Sequence, residues 1–234
     1  MTKTGLLDKY LEARDDMVRL LKERRISDER VLKAMMKIER HLFVPVPLRH
    51  HAYDDAALPI GEGQTISQPF TVAIMTEALC LRALDKILEI GTGSGYQAAI
   101  LAEMGARVFT IERIPALLKN ARQVLESLNI RFVSKEGDGT IGWVQFAPYD
   151  GIIATAGAPE IPKPLVEQLR VGGKLVVPVG SHAFQQMKVV TKINDNNEFE
   201  VADKADFKFV PLIGKEGWPE ESFPRGSDGR ENDK

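Results

Sequence analysis

Ile87-Leu88-Glu89-Ile90-Gly91-Thr92-Gly93-Ser94-Gly95-Tyr96 decides the fold. A short apolar run ends in three glycines at alternate positions. A helical pattern follows at once through Ala98, Ala99, Leu101, Ala102 and Met104. That order reads as a buried strand, a tight turn and a helix N-terminus. Glycine admits positive φ and lets a ligand come close to the backbone. The free N–H groups of the helix start favour the electron-rich edge of whatever sits there.

Outward from this stretch, strands and helices alternate after residue 86, the signature of a parallel sheet with helices on both faces. Residues 107–111 form a second strand that ends at Glu112. Pro115 opens a helix at its first turn, where proline costs nothing, with Leu117, Leu118, Ala121, Val124, Leu125 and Leu128 as its apolar stripe. Further strands are expected at 131–135, 149–155 and 174–179, with a short helix at 164–169. The last part changes character. Segments 186–193, 198–202 and 207–212 alternate like strands, with Asp195-Asn196-Asn197 as a hairpin turn, so an antiparallel addition to the sheet edge is expected. Upstream, residues 6–24 carry Leu6, Leu7, Tyr10, Leu11, Met17, Val18, Leu20 and Leu21 at helical spacing. Ser27 is placed to cap a second helix through Val31, Leu32, Met35 and Ile38. Residues 53–68 lack periodicity and contain Pro59, Gly61 and Gly63, so they read as a long functional loop. Pro69 then starts a helix that turns Val72, Met75, Thr76 and Leu79 inward. The expectation is one α/β domain over 1–226. A helical cap and substrate loop occupy 1–68, a doubly wound core 69–180 and an antiparallel part 181–226. Residues 227–234 are too polar to bury a core and read as a disordered tail.

With 234 residues, 44% of them apolar, the chain can bury a sizeable core. A net charge of −2 with mixed signs gives no electrostatic case for nucleic acid. Arg19, Lys22, Arg24 and Arg25 are interleaved with acids and read as a solvated helix face. The single cysteine, Cys80, excludes an internal disulfide framework and reads as a buried structural thiol among Met75, Ala78 and Leu79. No run of about 18 apolar residues is present, so no transmembrane helix is expected. Lys3, Asp8, Lys9 and Glu12 break up any secretory apolar region. A cytoplasmic monomer without membrane contact is the expectation. No metal cage presents itself: His50 and His51 are adjacent and hard to aim at one ion, and His41 and His182 are isolated.

In such sheets ligands bind outside the carboxyl ends of the strands. The residues delivered there are 91–95, Glu112, Gly137-Asp138-Gly139 and Thr155-Ala156-Gly157-Ala158. A dinucleotide fingerprint wants G-x-G-x-x-G. Here position 96 is tyrosine, which disfavours a nicotinamide dehydrogenase. G-x-G-x-G suits a ligand with no pyrophosphate to cradle, S-adenosylmethionine (SAM) first among them. The alternative for the loop alone is a tight turn that binds nothing. Glu112, about 20 residues beyond the glycines, stands where nucleotide-binding folds accept both ribose hydroxyls. Asp138 can place its carboxylate against an adenine edge. No catalytic base or nucleophile appears at this edge. Methyl transfer to an oxygen already ionised at pH 7 needs none; it needs alignment and exclusion of water. A carboxylate acceptor fits that requirement.

Thr65-Ile66-Ser67-Gln68-Pro69, the stretch 88–96, Gly137-Asp138-Gly139, Ala147-Pro148-Tyr149-Asp150, the stretch 155–159 and Phe209-Val210-Pro211-Leu212 closely resemble protein-L-isoaspartate O-methyltransferases. The likeness runs from about Ser27 to Pro219, and Thr-Ile-Ser-Gln-Pro and the terminal Val-Pro-Leu are its most specific parts. The resemblance implies a seven-stranded Rossmann-like class I methyltransferase fold, SAM as methyl donor, and methylation of the α-carboxylate freed when aspartyl or asparaginyl residues isomerise. The ester then promotes succinimide closure and partial return to aspartate, with isoaspartyl proteins and peptides as partners. By motif, Ser67 matches the active-site serine; its other reading is an N-cap for the helix at Pro69. The candidate cofactor residues are Glu89, Gly91, Thr92, Gly93, Ser94, Gly95, Glu112, Arg113, Asp138, Gly139 and Thr155. The candidate substrate residues are Thr65, Ile66, Gln68, Pro69, Val210, Pro211 and Leu212. Phe70 departs from a position often filled by tyrosine or histidine. A SAM enzyme acting on a small molecule, or a SAM-binding module without catalysis, are the competing readings.

Overall fold

The computed structural model describes residues 3–196 and 198–220, with side chains from Lys9 onward. The expected tail at 227–234, Asn197 at the end of the hairpin turn and the side chains of Leu6 and Leu7 lie outside the described residues.

The sheet is built on Lys86–Ile90 (β3), the strand of the glycine stretch. Arg107–Glu112 (β4) and Phe132–Glu136 (β5) extend it to one side, and Tyr149–Ala154 (β6), Leu169–Gly180 (β7), Gln185–Lys192 (β8) and Phe199–Phe207 (β9) to the other. The order is β5-β4-β3-β6-β7-β8-β9, seven strands, parallel from β5 through β7 and antiparallel from β7 to β9. The order reverses around β3, whose two neighbours are β4 and β6, and that switch point sets the crevice for ligands. Strand side chains alternate between faces. Ile87, Ile153 and Val176 enter one core, while Leu88, Ile152, Ala154, Leu175 and Val177 enter the other. The helices Pro69–Leu79 (α3) and Tyr96–Glu103 (α4) cover the first face, together with the cap helices Lys3–Glu23 (α1) and Glu29–Lys37 (α2). Lys163–Glu167 (α6) packs Leu165 and Val166 on the second. Pro115–Ser127 (α5) turns Leu117, Leu118, Ala121 and Leu125 inward. Each fully buried aliphatic side chain of this kind contributes about 1.5–3 kcal/mol.

Local outcomes differ from the sequence reading in five places. Asp28, not Ser27, caps α2, accepting from the Arg30 N–H at 2.9 Å. Ser27 instead donates its N–H and hydroxyl to Glu77 Oε1, at 2.7 and 3.0 Å. The expected loop at 53–68 contains a two-stranded hairpin, Leu58–Gly61 (β1) with Gln64–Ile66 (β2). Of residues 207–212 only Phe207 belongs to a ladder, as the last residue of β9; beyond it the described chain makes isolated parallel bridges, Gly157 with Pro211 and Ile213 with Trp218. Cys80 is exposed, because α3 ends there in a left-handed turn with φ 52° that carries the thiol outward. Arg24 stands over the Phe70 ring, 3.5 Å from its centroid, and is ion-paired with Asp55 rather than simply solvated. No helix among the described residues is long and apolar enough to cross a membrane.

Candidate active site

The carboxyl ends of β3, β4 and β6 and the two flanking segments, β1–β2 and 207–213, enclose three adjoining cavities. Thr65 and Thr155 line all three. The first also takes Gly91, Gly93, Ile111, Glu112, Arg113, Ile114, Leu117, Gly139 and residues 210–213. The second joins Ile66, Ser67, Glu89, Thr92, Ser94 and Gln97 to the same glycines. The third runs from Ser67, Gln68 and Thr71 to Phe207, Lys208, Phe209 and Val210. The residues from the Thr-Ile-Ser-Gln motif, the glycine loop and the C-terminal Val-Pro-Leu, far apart in sequence, thus share one cleft. A roomier depression, about 910 Å³, lies at the opposite edge around Arg107, Phe132 and Val133, and holds none of the candidate residues.

The glycine loop is shaped by close approach. Gly91 has φ +91°, and a Cβ there would stand 2.5 Å from Thr155 Oγ1. Thr155 uses that hydroxyl to hold the loop, donating to the Gly91 carbonyl at 2.7 Å. Glu112 is 5% exposed, at the tip of β4. Its Oε2 accepts from the Gly93 N–H at 2.8 Å and its Oε1 from the Ile114 N–H at 3.0 Å. An ionised carboxylate offers about four acceptor positions, so two remain for hydroxyls in the first cavity. Isoleucines 111 and 114 and Leu117 beside it supply an apolar wall. This combination fits SAM: a carboxylate for ribose, an apolar slot for adenine and a loop that admits no side chain at Gly91.

Glu89 is fully buried. Burial pushes its carboxyl up to about 8, against the Thr110 hydroxyl that favours the charged form, while nearby Glu112 adds to the rise. It is therefore mostly protonated at pH 7. Thr110 Oγ1 bonds Glu89 Oε2 at 2.5 Å and Thr92 Oγ1 at 2.6 Å, so the hydroxyl pair carries the contact on to the glycine loop.

Three candidates stand away from the cavities. Gly95 starts α4 with φ 87° and faces Leu125 and Ala121. Pro69 is buried at the first turn of α3. Asp138 does not present a free carboxylate to the cleft. Its Oδ1 accepts from the Thr140 N–H and hydroxyl at 2.8 and 2.7 Å, and its Oδ2 from the Lys215 N–H at 2.8 Å. It holds the C-terminal strap, residues 209–218, over the sheet. Gly157 pairs with the same strap through the Leu212 N–H and the Val210 carbonyl, both at 2.8 Å, and the Trp218 indole donates to the Gly157 carbonyl at 3.1 Å. Ser67 is not the cap of α3; Asp55 Oδ1 takes that part from the Phe70 N–H at 2.9 Å. Arg113 lines the first cavity, with Glu220 3.8 Å from its guanidinium. Sequence reading overlooked Ile114 and Leu117, whose nearness to Glu112 was the available signal. It also overlooked Phe207 and Lys208, which nothing local marks. Among the described residues no cluster of three or more metal-ligating side chains occurs.

The strand order, the glycine loop and the carboxylate at the end of β4 define a Rossmann-like class I methyltransferase. The family profile described as Protein-L-isoaspartate(D-aspartate) O-methyltransferase (PCMT) matches residues 12–217. The chain belongs to that family. It is 53% identical over 199 residues to the protein-L-isoaspartate O-methyltransferase of Syntrophotalea carbinolica, covering 85% of this chain and 91% of that one. It is 51% identical over 226 residues to that of Salinibacter ruber, covering 92% and 98%. A solved protein-L-isoaspartate O-methyltransferase superposes with TM-score 0.78 at 30% identity, covering 87% of this chain and 67% of that one. A Plasmodium falciparum chain in complex with S-adenosyl-L-homocysteine shares the fold, with TM-score 0.74 at 24% identity, covering 86% and 98%.

Proposed function

We propose that this protein methylates the free α-carboxylate of L-isoaspartyl residues in proteins and peptides, using SAM, and so starts their repair through a succinimide. The single observation that carries the reading is the joining of Ser67 and the glycine loop in one cavity of a chain matched to this family over residues 12–217. When bound, SAM supplies an electrophilic methyl: a carboxylate lone pair takes it while the C–S pair stays on sulfur, giving a methyl ester and S-adenosylhomocysteine. No proton moves, so the step asks for alignment rather than a general base.

The chain's own residues bind and orient. Glu112 and the Gly91–Gly93 turn hold the nucleoside side of the cleft. Glu89, Thr92 and Ser94 line the second cavity together with Ser67. The Ser67 hydroxyl, free of capping duty, holds the acceptor carboxylate. Thr65, Ile66 and Gln68 on one side and residues 207–212 on the other offer backbone groups to an extended peptide, as an added strand would receive them. Both isomers of an aspartyl peptide carry a carboxylate of similar charge, so charge cannot separate them. The backbone path can, since a misplacement of about 1 Å costs on the order of 100-fold in rate. The protein is read as a cytoplasmic monomer, with neither nucleic acid nor membrane as partner.

The test offers labelled SAM with an isoaspartyl peptide and with its normal aspartyl twin. Methyl ester on the first and little on the second is expected. Comparable kcat/KM on the two would overturn the reading in favour of a broad carboxyl methyltransferase. SAM binding without turnover would reduce the chain to a binding module.

A further inference from the structure

Arg40 is among the largest wholly buried side chains, and it forms no ion pair among the described residues. It lies in the 3-10 turn Arg40–Phe43 of the N-terminal cap and is 0% exposed. Its Nε donates to the Ala52 carbonyl at 2.7 Å and its Nη2 to the Ser67 carbonyl at 2.8 Å. Among the described residues its Nη1 meets no hydrogen-bond partner, and neither does the buried hydroxyl of Tyr96. The guanidinium lies over the Tyr96 ring, 4.9 Å from its centroid, and Phe43 meets the same ring edge-on at 5.4 Å. Among the described residues Arg40 forms no ion pair; Asp55, which attracts it, is itself paired with Arg24 and bonded to the Phe70 N–H. Burial lowers its pKa to about 10, so it stays charged at neutral pH.

A buried, unpaired cation is costly, and a well-packed apolar residue would serve stability better. What the guanidinium does here needs its fork. One nitrogen holds the Ala52 carbonyl, a second holds the backbone of Ser67, and the group stands over Tyr96, the first residue of the helix after the glycine loop. We infer that Arg40 is a positioning residue for methyl transfer: it fixes Ser67 relative to the SAM-binding loop and places an uncompensated positive charge behind the serine that receives the acceptor carboxylate. This rests on the role given above to Ser67, and it says more: the cap is part of the acceptor site. A lysine ammonium is a single point of charge, whereas the guanidinium sets its two donors in a fixed planar fork.

The test compares wild type with Arg40→Lys, which keeps the charge and loses the fork. Peptide kinetics and calorimetric SAM affinity are measured side by side. The expected result is a fall in kcat/KM for the isoaspartyl peptide of about 10- to 100-fold, in the range that small misplacements cause, with SAM Kd within threefold of wild type. A variant with peptide kinetics within twofold of wild type overturns the inference. So does a parallel loss of SAM affinity, which marks general loosening. A second measurement needs no variant. In wild type saturated with S-adenosylhomocysteine, the Arg40 Nε–H NMR signal should shift when isoaspartyl peptide is added, and an unmoved signal at peptide saturation counts against the inference. If wild type itself fails to methylate the isoaspartyl peptide, the functional reading fails first and is seen to fail separately.

Discussion

Replacing Glu112 with alanine removes four hydrogen-bond opportunities from one small volume. Two are seen directly: the Gly93 and Ile114 N–H groups at 2.8 and 3.0 Å. The other two are the acceptor positions left facing the cavity, assigned to ribose hydroxyls. A hydrogen bond to a charged group is worth about 1.5–3 kcal/mol. Loss of one hydroxyl contact therefore raises SAM Kd by roughly 10- to 150-fold, and loss of both by more. The effect on the empty protein is smaller, since the two N–H groups sit beside a cavity that water can enter. Thermal unfolding with and without SAM reads both effects. At a SAM concentration of about 100 times the wild-type Kd, ligand stabilises wild type by about 2.7 kcal/mol. A variant whose Kd has risen 100-fold retains only about 0.4 kcal/mol of that. The SAM-dependent rise in Tm should nearly vanish while the ligand-free Tm moves by a few degrees. Calorimetric SAM affinity within twofold of wild type would falsify the assignment. Glu112→Asp and Glu112→Gln are poorer probes, because the first shortens the reach to both amides and the second turns an amide donor toward a backbone donor.

Ser67→Ala should lower turnover at saturating SAM by about tenfold or more, the worth of one hydrogen bond to a charged group. SAM Kd should hardly change; collapse of SAM affinity with turnover preserved would refute the role given to the hydroxyl. Gly91→Ala should cost about 1–3 kcal/mol of stability, because the new Cβ meets Thr155 Oγ1 at 2.5 Å and the backbone sits at φ +91°. A melting curve superimposable on wild type would show that the turn is not constrained as described. Glu89→Gln should change the pH dependence of stability. The native carboxyl holds its proton up to about 8, whereas the unfolded chain loses it near 4.3. Between these values the native state binds more protons, so wild-type stability falls as pH rises through the window. The Tm of the glutamine variant relative to wild type should climb across that range and level off above it. Parallel Tm profiles for the two proteins would contradict the assignment.

The sheet was legible because its strands are marked at both ends. Ile87, Leu88 and Ile90 are apolar and the run stops at glycines, and Pro115 marks where the next helix begins after Glu112. The hairpin at Leu58–Gly61 and Gln64–Ile66 was not, since strands of four and three residues, the first containing Pro59, leave too little alternation to count. Ser27 and Asp28 are adjacent and equally able to cap. Glu77, some fifty positions away, engages Ser27 and leaves the cap to Asp28. Cys80 misled because its neighbours are apolar, while its backbone conformation turns it out of the core. The part of the cleft around Glu112 and the glycine loop followed from local spacing. The part that gathers Arg40, Ser67 and Phe207 depends on contacts between distant segments, which no window of sequence contains. Asp138 shows the same limit from the other side: its glycine-flanked setting suggests a ligand, and only the return of the chain at Lys215 gives its carboxylate another occupation.

The strap at 209–218 carries a consequence for how the protein comes off the ribosome. Its anchors, Asp138, Thr140 and Gly157, lie roughly 55 to 77 positions upstream, and every one of them is made long before the strap exists. A nascent chain that ends before residue 209 can complete the parallel sheet and its flanking helices, yet lacks one wall of the cleft. Completion of the cleft thus follows completion of the sheet in vectorial synthesis. A chain cut short before residue 209 lacks the residues that line that side of the first cavity.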